Sequence, residues 1–407
     1  MKKVIAAAAG LFLVGSAVSA AAAVTLSGDA RARWYYEKYQ DGNLGRDNAK
    51  KTDEHWSGRV RVKIDADTKG GAYIRTRIRM ADARWGTGNT RTNKANSIYT
   101  DWAYIGMPIG PVTFEGGSMP VNITKWTVWD ARADQALVKY GFDATELMLI
   151  WQKRFESDPG QGADYDGDDN DIQNIWGVWK QGFRDWNFTG AFVYTEDGLP
   201  TSLDSYPPGT PEVPEIAARD FSGWGGTINA AGPIGPVAIV GEVSVVEDSI
   251  NGAVPDENGW GGYLQASMDF GAASATLNGG WTSDGYVADD DFGFIMIGGA
   301  SAITPEVSAQ VGQNGDTWWI GGIGGYQVSE KLSLKGTLVY ANFSTVNKPD
   351  YTFGIDGSAW EIAGEISYAV SDNSSIDVVG GYLGLSVDDF ENEKDPYGGA
   401  VTFNVDF

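Results

Sequence analysis

The chain has no cysteine among its 407 residues and only one histidine, His55. The first absence excludes a disulfide framework and thiol chemistry. The second leaves a single imidazole, in a polar stretch beside Trp56, and no serine and acid are patterned around it as a hydrolytic triad requires. The chain also lacks a P-loop and a dinucleotide fingerprint between a strand and a helix. Its residue set therefore does not equip it for covalent catalysis. After residue 23 no stretch is apolar for the ~20 residues that a membrane helix needs. Basic residues are scarce in the second part, with none between Arg219 and Lys331. Residues 1–154 hold 23 of the 30 Lys and Arg, whereas residues 155–407 hold 39 of the 54 Asp and Glu. A formal net charge of −24, concentrated in that second part, argues against a nucleic-acid partner.

What is present begins with a leader. Met1-Lys2-Lys3 is a basic start, Val4 to Val18 is apolar and small, and Ser19-Ala20-Ala21-Ala22-Ala23 offers A-x-A cleavage sites. That pattern predicts a secretory signal peptide over residues 1–23 and one domain over 24–407. Glycine is abundant, 55 of 407, nearly twice the ordinary ~7%. Trp, Tyr and Phe contribute 16, 18 and 16 residues. A secreted chain that enters lipid without apolar helices must close its strands into a barrel, since open edges cannot sit there. Glycine then serves the turns and the aromatic rings the membrane rims.

Period-two alternation supports this. Val24, Leu26, Ala30, Ala32, Trp34 and Tyr36 share one face of the first segment, opposite Thr25, Ser27, Asp29, Arg31, Arg33 and Glu37. Strands are expected at 24–39, 56–67, 71–83, 97–107, 111–117, 135–142, 145–155, 172–183, 186–196, 219–231, 237–247, 258–270, 273–283, 317–328, 331–343, 357–370, 375–387 and 397–407. Long connections near 40–55, 84–96, 118–134, 156–171, 197–218, 248–257, 284–316, 344–356 and 388–396 alternate with short ones. The expected fold is thus all-β, a transmembrane antiparallel up-and-down β-barrel of 18 strands. Sixteen is the alternative count, because 284–316 has no clear pattern.

The sharpest signal is a basic ladder. Arg59, Arg61 and Lys63 share a face, as do Arg75, Arg77 and Arg79 on the next strand. With the turn centred near Lys69, Arg61 would oppose Arg77, Arg59 would oppose Arg79, and Lys63 would oppose Arg75. Like charges directly opposite are destabilising. The ladder therefore needs counter-charges, water or anions, and Glu115, Asp130 and Asp134 are candidate partners. Arginine on a lipid face costs ~2–4 kcal/mol near the midplane, so these side chains are expected to point inward. Rings of Arg and Lys give channels anion selectivity.

The last strand carries a family resemblance. Tyr397, Gly399, Val401, Phe403, Val405 and Phe407 share a face, and Phe407 is the last residue. This ending resembles the assembly signal of Gram-negative outer-membrane barrels, with Phe403, Val405 and Phe407 as its residues. The whole mature chain resembles the trimeric porin superfamily, and its start is similar to porins of sulfate-reducing bacteria. The resemblance implies a non-enzymatic channel in the outer membrane, a pore-constricting third loop and the barrel assembly machinery as a partner. It also implies a homotrimer, for which Gly28, Ala30 and Ala32 offer a small outer face. The third loop corresponds to Ser118 to Asp134, with Glu115, Lys125, Trp126, Trp129, Asp130, Arg132 and Asp134 as constriction candidates. It departs from the acidic short motif of enterobacterial general porins.

The function expected on this basis is passive diffusion of small hydrophilic solutes and ions with anion preference, sulfate among them. The alternatives are a substrate-specific channel, for instance for sugars, and a structural or adhesive surface barrel. Asp164, Asp166 and Asp168 crowd one long loop and are weak Ca²⁺ candidates, but their spacing lacks the sixth-position glycine of an EF-hand. A solvated acidic loop near lipopolysaccharide is the favoured reading, as it is for Asp289-Asp290-Asp291, and no cofactor is expected. Trp34, Tyr35, Tyr36, Trp56, Trp102, Tyr104, Trp176, Trp179, Trp260 and Tyr263 are expected mainly in interfacial girdles facing outer-membrane lipids.

Overall fold

The computed structural model describes residues 23–40, 50–85, 98–124, 126–127, 131–155, 172–197, 222–247, 258–283, 286, 294, 296–297, 316–344, 356–387 and 395–407. Among these, eighteen strands follow in order: β1 (Ala23–Gln40), β2 (Lys50–Asp67), β3 (Tyr73–Arg84), β4 (Tyr99–Ile109), β5 (Val112–Val121), β6 (Ala131–Phe142), β7 (Thr145–Phe155), β8 (Ile172–Phe183), β9 (Trp186–Asp197), β10 (Gly223–Ile234), β11 (Val237–Val246), β12 (Gly259–Phe270), β13 (Ala273–Ser283), β14 (Asp316–Ser329), β15 (Leu332–Ser344), β16 (Gly357–Ser371), β17 (Ser374–Val387) and β18 (Tyr397–Asp406). Each pairs antiparallel with its sequence neighbours, and β1 pairs with both β2 and β18. The sheet is therefore closed and has no edge. The alternative count of sixteen falls, because β13 and β14 pair directly and the long connection between them adds no strand among the described residues.

Alternation sorts the side chains. Even-numbered residues of β15 and β16, such as Leu338, Ile362 and Ile366, are exposed apolar groups, while Val339, Glu361 and Ala363 between them are buried. The exposed face is apolar around the whole ring, as a lipid-facing surface must be. Trp34, Tyr36, Trp56, Trp179 and Trp260 belong to it. Trp102, Trp176 and Tyr263 do not: they are buried on the inner face, which corrects their assignment to the girdle.

Two local departures from the sequence expectation have a backbone cause. β2 begins at Lys50, six residues before the expected start, because Lys50–Trp56 pairs with Trp34–Gln40 of β1. That polar hairpin extension is held by ladder hydrogen bonds and so leaves no apolar alternation. His55 thus lies on β2 rather than in a loop, its ring centroid 4.9 Å from that of Tyr35. The β2–β3 turn is the other departure. Thr68 donates its backbone N–H to Ala72 O (2.8 Å), and Gly71, at φ +86°, donates to Thr68 O (3.0 Å). The turn centre is Gly70, so Arg61 opposes Arg79, Lys63 opposes Arg77 and Asp65 opposes Arg75. A shift of two in the pairing sum leaves every side chain on its expected face.

The ends of the chain lock the ring. Gly28 N donates to Phe407 O at 2.7 Å and Phe407 N to Gly28 O at 3.0 Å. A Cβ at Gly28 would lie 2.6 Å from the Phe407 ring, so the glycine makes room for the terminal side chain. The small residue at 28 therefore has a reason within the chain and does not by itself mark a subunit contact. The expected signal peptide and the acidic stretches around 164–168 and 289–291 lie outside the described residues.

Deleting Phe407 removes both closing hydrogen bonds and uncovers Gly28. The heat-modifiable, folded fraction in the membrane should drop sharply relative to the intact chain on unheated gels. An unchanged folded fraction would mean that closure does not depend on this residue.

Candidate functional site

The inner faces of β1, β2 and β3 carry Arg31 and Arg33, then Arg59, Arg61 and Lys63, then Arg75, Arg77 and Arg79. Like charges sit opposite one another at Arg31–Arg59, Arg61–Arg79 and Lys63–Arg77. Aspartates are threaded between them. Asp29 takes Arg61 Nε at 2.8 Å and Arg59 Nη2 at 3.4 Å. Asp65 lies 2.9 Å from Lys63 Nζ and 3.6 Å from Arg75 Nε, and Asp67 is 2.7 Å from Arg75 Nη2. Arg33 Nε donates to the Thr402 hydroxyl at 3.0 Å across the β1–β18 seam. Rings add support: the Arg75 guanidinium lies 4.5 Å from the centroid of Tyr73, and that of Arg77 lies 5.4 Å from Trp102. Among the described residues, eight basic groups on these three strands meet Asp29 and Glu37 of β1, Asp65 and Asp67 of β2 and one aspartate of β4, so basic groups outnumber acids on this wall.

That fourth aspartate is Asp101. Strict alternation from Ile105 and Met107, both exposed, would turn it toward lipid. Instead β4 has a bulge: Trp102 pairs with Arg77 and Thr100 with Ile78, and Asp101 is the extra residue. Its side chain is fully buried and ion-paired with Arg77 Nε, Arg79 Nη2 (3.1 Å) and Arg132 Nε (2.9 Å). A bulge re-aims a side chain at the expense of one unpaired ladder position. Here it brings one carboxylate among three guanidiniums.

Two segments leave the wall and lie inside the ring. The first follows β5. β4 and β5 stop pairing at Ala103–Ser118, next to Gly117, whose φ of +133° and 2.5 Å Cβ approach to Ala103 O admit only glycine comfortably. Beyond that point β5 pairs with β6 alone. Thr124 and Thr127 then donate their hydroxyls to Glu242 Oε1 on β11, at 2.6 and 2.8 Å. Thr227 (2.6 Å, to Oε1) and Asn229 (2.9 Å, to Oε2) on β10 complete the shell of that buried carboxylate. Trp126 is fully buried, with ring centroids 5.3 Å from Tyr263 on β12 and 5.6 Å from Trp319 on β14. Since β12 and β14 are far around the ring from β5, Trp126 reaches them through the interior.

The second segment follows β13. Tyr286 stacks on Trp126 at 5.6 Å, with ring planes 16° apart. Phe294, Met296 and Ile297 are buried against the inner wall. The backbone N–H groups of Met296 and Ile297 donate to Glu361 Oε2 on β16, at 3.0 and 2.7 Å. Wall glycines receive the inserted side chains. A Cβ at Gly261 would lie 2.6 Å from both Trp126 and Tyr286, one at Gly321 2.5 Å from Phe294, and one at Gly381 2.8 Å from Met296.

The residues singled out from sequence divide clearly. The eight ladder residues lie together on one inner wall. Trp126 lies inside the ring, and Arg132 joins Asp101. Glu115 is not a ladder counter-charge: its carboxylate accepts a hydrogen bond from the Tyr73 hydroxyl and lies 4.0 Å from Lys139 Nζ. Asp134 is exposed on β6, opposite Lys153 of β7. Phe403, Val405 and Phe407 are exposed on the outer face. Lys125, Trp129, Asp130, Asp164, Asp166 and Asp168 lie outside the described residues. Sequence reasoning missed Asp101, Glu242 and Glu361. The signal available for the two glutamates was a lone acid amid small and apolar strand residues, as in Val240 to Val246 and Ala359 to Ala363.

Residues 5–348 match the family described as Gram-negative porin. No curated protein sequence matches. Among solved structures, OprD of Pseudomonas aeruginosa is similar at 12% identity and a TM-score of 0.58, over 94% of this chain and 95% of that one. OccK3 (OpdO) of the same organism is similar at 9% identity and a TM-score of 0.61, over 94% and 95%. A BenF-like porin from Pseudomonas fluorescens Pf-5 is similar at 12% and 0.56, over 94% and 99%.

Asp101→Asn leaves three guanidiniums without their shared carboxylate. Breaking a buried ion pair from one side costs about 3–5 kcal/mol. Urea unfolding of the variant in lipid vesicles should show a loss of that order. A midpoint equal to that of the unsubstituted chain would mean that the bulge serves no electrostatic purpose.

Proposed function

Because the chain belongs to the Gram-negative porin family, an outer-membrane β-barrel channel for small solutes and not an enzyme, we propose that it passes small hydrophilic solutes by passive diffusion and prefers anions. The observation that carries the preference is that, among the described residues, basic groups outnumber acids on the inner faces of β1–β3. Selectivity follows the charge nearest the path, because fields of distant exposed acids are screened over ~8–10 Å at ordinary salt. The net charge of −24, concentrated outside the ladder strands, therefore does not set it. Small inorganic oxyanions such as sulfate suit a wall of guanidiniums, which bind planar and tetrahedral oxyanions through paired N–H donors.

A second reading is a substrate-specific channel. Two segments laid inside the ring favour it, since they leave less free section than an empty eighteen-strand cylinder. In that case currents through single channels would be small, saturable and blocked by one solute.

The proposal is tested in planar bilayers. Purified protein should give ohmic steps, and a KCl gradient should give a reversal potential on the chloride side. Replacing the opposed pair Arg61 and Arg79 by Gln should move that potential toward potassium without closing the channel. Potassium preference in the unsubstituted protein, or no movement in the double variant, would refute the anion preference.

A further inference from the structure

Among their described residues, the two inserted segments have separate anchors and meet where Trp126 stacks on Tyr286. Thr124 and Thr127 hold the first segment to Glu242, while Met296 N and Ile297 N hold the second to Glu361. Each carboxylate is buried, so the hydrogen bonds from these donors offset part of its desolvation cost. Glu242 has further donors from β10. Trp126 has one segment behind it in the chain, the other stacked on its face, and the wall residues Tyr263 and Trp319 around it. Gly261 lies beneath both rings, close enough that one added methyl would strike each.

We propose that the two segments are a single coupled unit: Trp126 is the joint, Glu242 and Glu361 are its positioning residues, and the free section of the channel is set by both segments together. Close-packed groups of this kind have discrete arrangements rather than a continuum. If Trp126 leaves, Tyr286 loses its stacking partner and the second segment is held by fewer contacts. If Glu361 no longer holds the backbone at Met296 and Ile297, Tyr286 is less fixed and Trp126 loses a neighbour. Coupling of this kind is reciprocal: whatever the first segment contributes to the order of the second, the second contributes to the first. That the unit sets the free section rests on the channel reading; the coupling itself does not.

The chain has no cysteine, so a single introduced thiol reports local opening without background. Met296→Cys places a reporter in the second segment, away from Trp126 and against β16 and β17. In folded protein in lipid vesicles, its labelling by a small water-soluble maleimide should be slow. Adding Trp126→Ala should raise the rate about tenfold or more. In reverse, Thr124→Cys should label faster by a similar factor when Glu361→Ala is added. Heat-modifiable mobility on gels verifies that each variant is folded. Should Trp126→Ala not fold, Trp126→Leu keeps apolar bulk without a ring to stack on Tyr286. Either reporter labelling at the same rate with and without the distant substitution would overturn the coupling. Unitary conductance of Trp126→Ala, Glu361→Ala and the double variant then tests the consequence: both single variants should conduct more, and the double variant no more than the larger of them. A chain that does not conduct at all would defeat the channel reading while leaving the labelling result to decide the coupling.

Discussion

Closure governs the rest of this structure. In lipid, no water is available to a backbone N–H or C=O, so every strand must be paired on both sides. β1 satisfies this by pairing with β2 and with β18, and the Gly28–Phe407 exchange extends the seam to the last residue. Once the ring closes, period-two alternation leaves each strand with one lipid face and one inner face. The arginines of β1–β3 then have one inexpensive direction, inward. Their crowding on one wall is a consequence of closure acting on a sequence that alternates apolar and basic residues.

The inner wall solves its own repulsion locally. Asp29 of β1 offsets Arg59 and Arg61 of the adjacent β2, Asp65 and Asp67 of β2 offset Lys63 on their own strand and Arg75 on β3, and Asp101 arrives from β4 by a bulge. Among the described residues the basic groups of this wall outnumber its acids. Complete neutralisation would remove any preference between ions, while none would leave directly opposed guanidiniums unshielded. Elsewhere on the inner surface the polar residues serve a different end. Glu242 and Glu361 are buried acceptors for chain that has left the sheet. The barrel therefore uses its basic residues to line the interior and two of its acids to hold what is placed there.

Much of this was legible in the sequence. All eighteen strands, the regular exchange of long and short connections, and the inward direction of the basic residues follow from alternation and turn chemistry. β7, β8 and β13 begin and end where the pattern places them. What alternation does not encode is where it is interrupted. The bulge at Asp101 reverses the face of one residue, and nothing in Tyr99-Thr100-Asp101-Trp102 announces it. The polar start of β2 is held by backbone pairing and so has no apolar rhythm. Phe294, Met296 and Ile297 give no strand pattern because they pack as inserted side chains, with Gly321 and Gly381 as their receptacles. A glycine on a strand reads the same in sequence whether it faces lipid or receives a ring.

An anion-preferring channel needs the basic wall of β1–β3 to meet water and to be positive on balance. Lys63→Cys in the otherwise cysteine-free chain probes both properties, since the side chain at 63 is partly exposed on the inner face among Asp65, Arg61 and Arg77. With folded protein in vesicles, the rates of reaction with an anionic and with a cationic methanethiosulfonate of similar size are compared. Both reagents should react, the anionic one several-fold faster, with the difference shrinking as salt is raised. A thiol that reacts with neither, or that favours the cationic reagent, would contradict the anion preference.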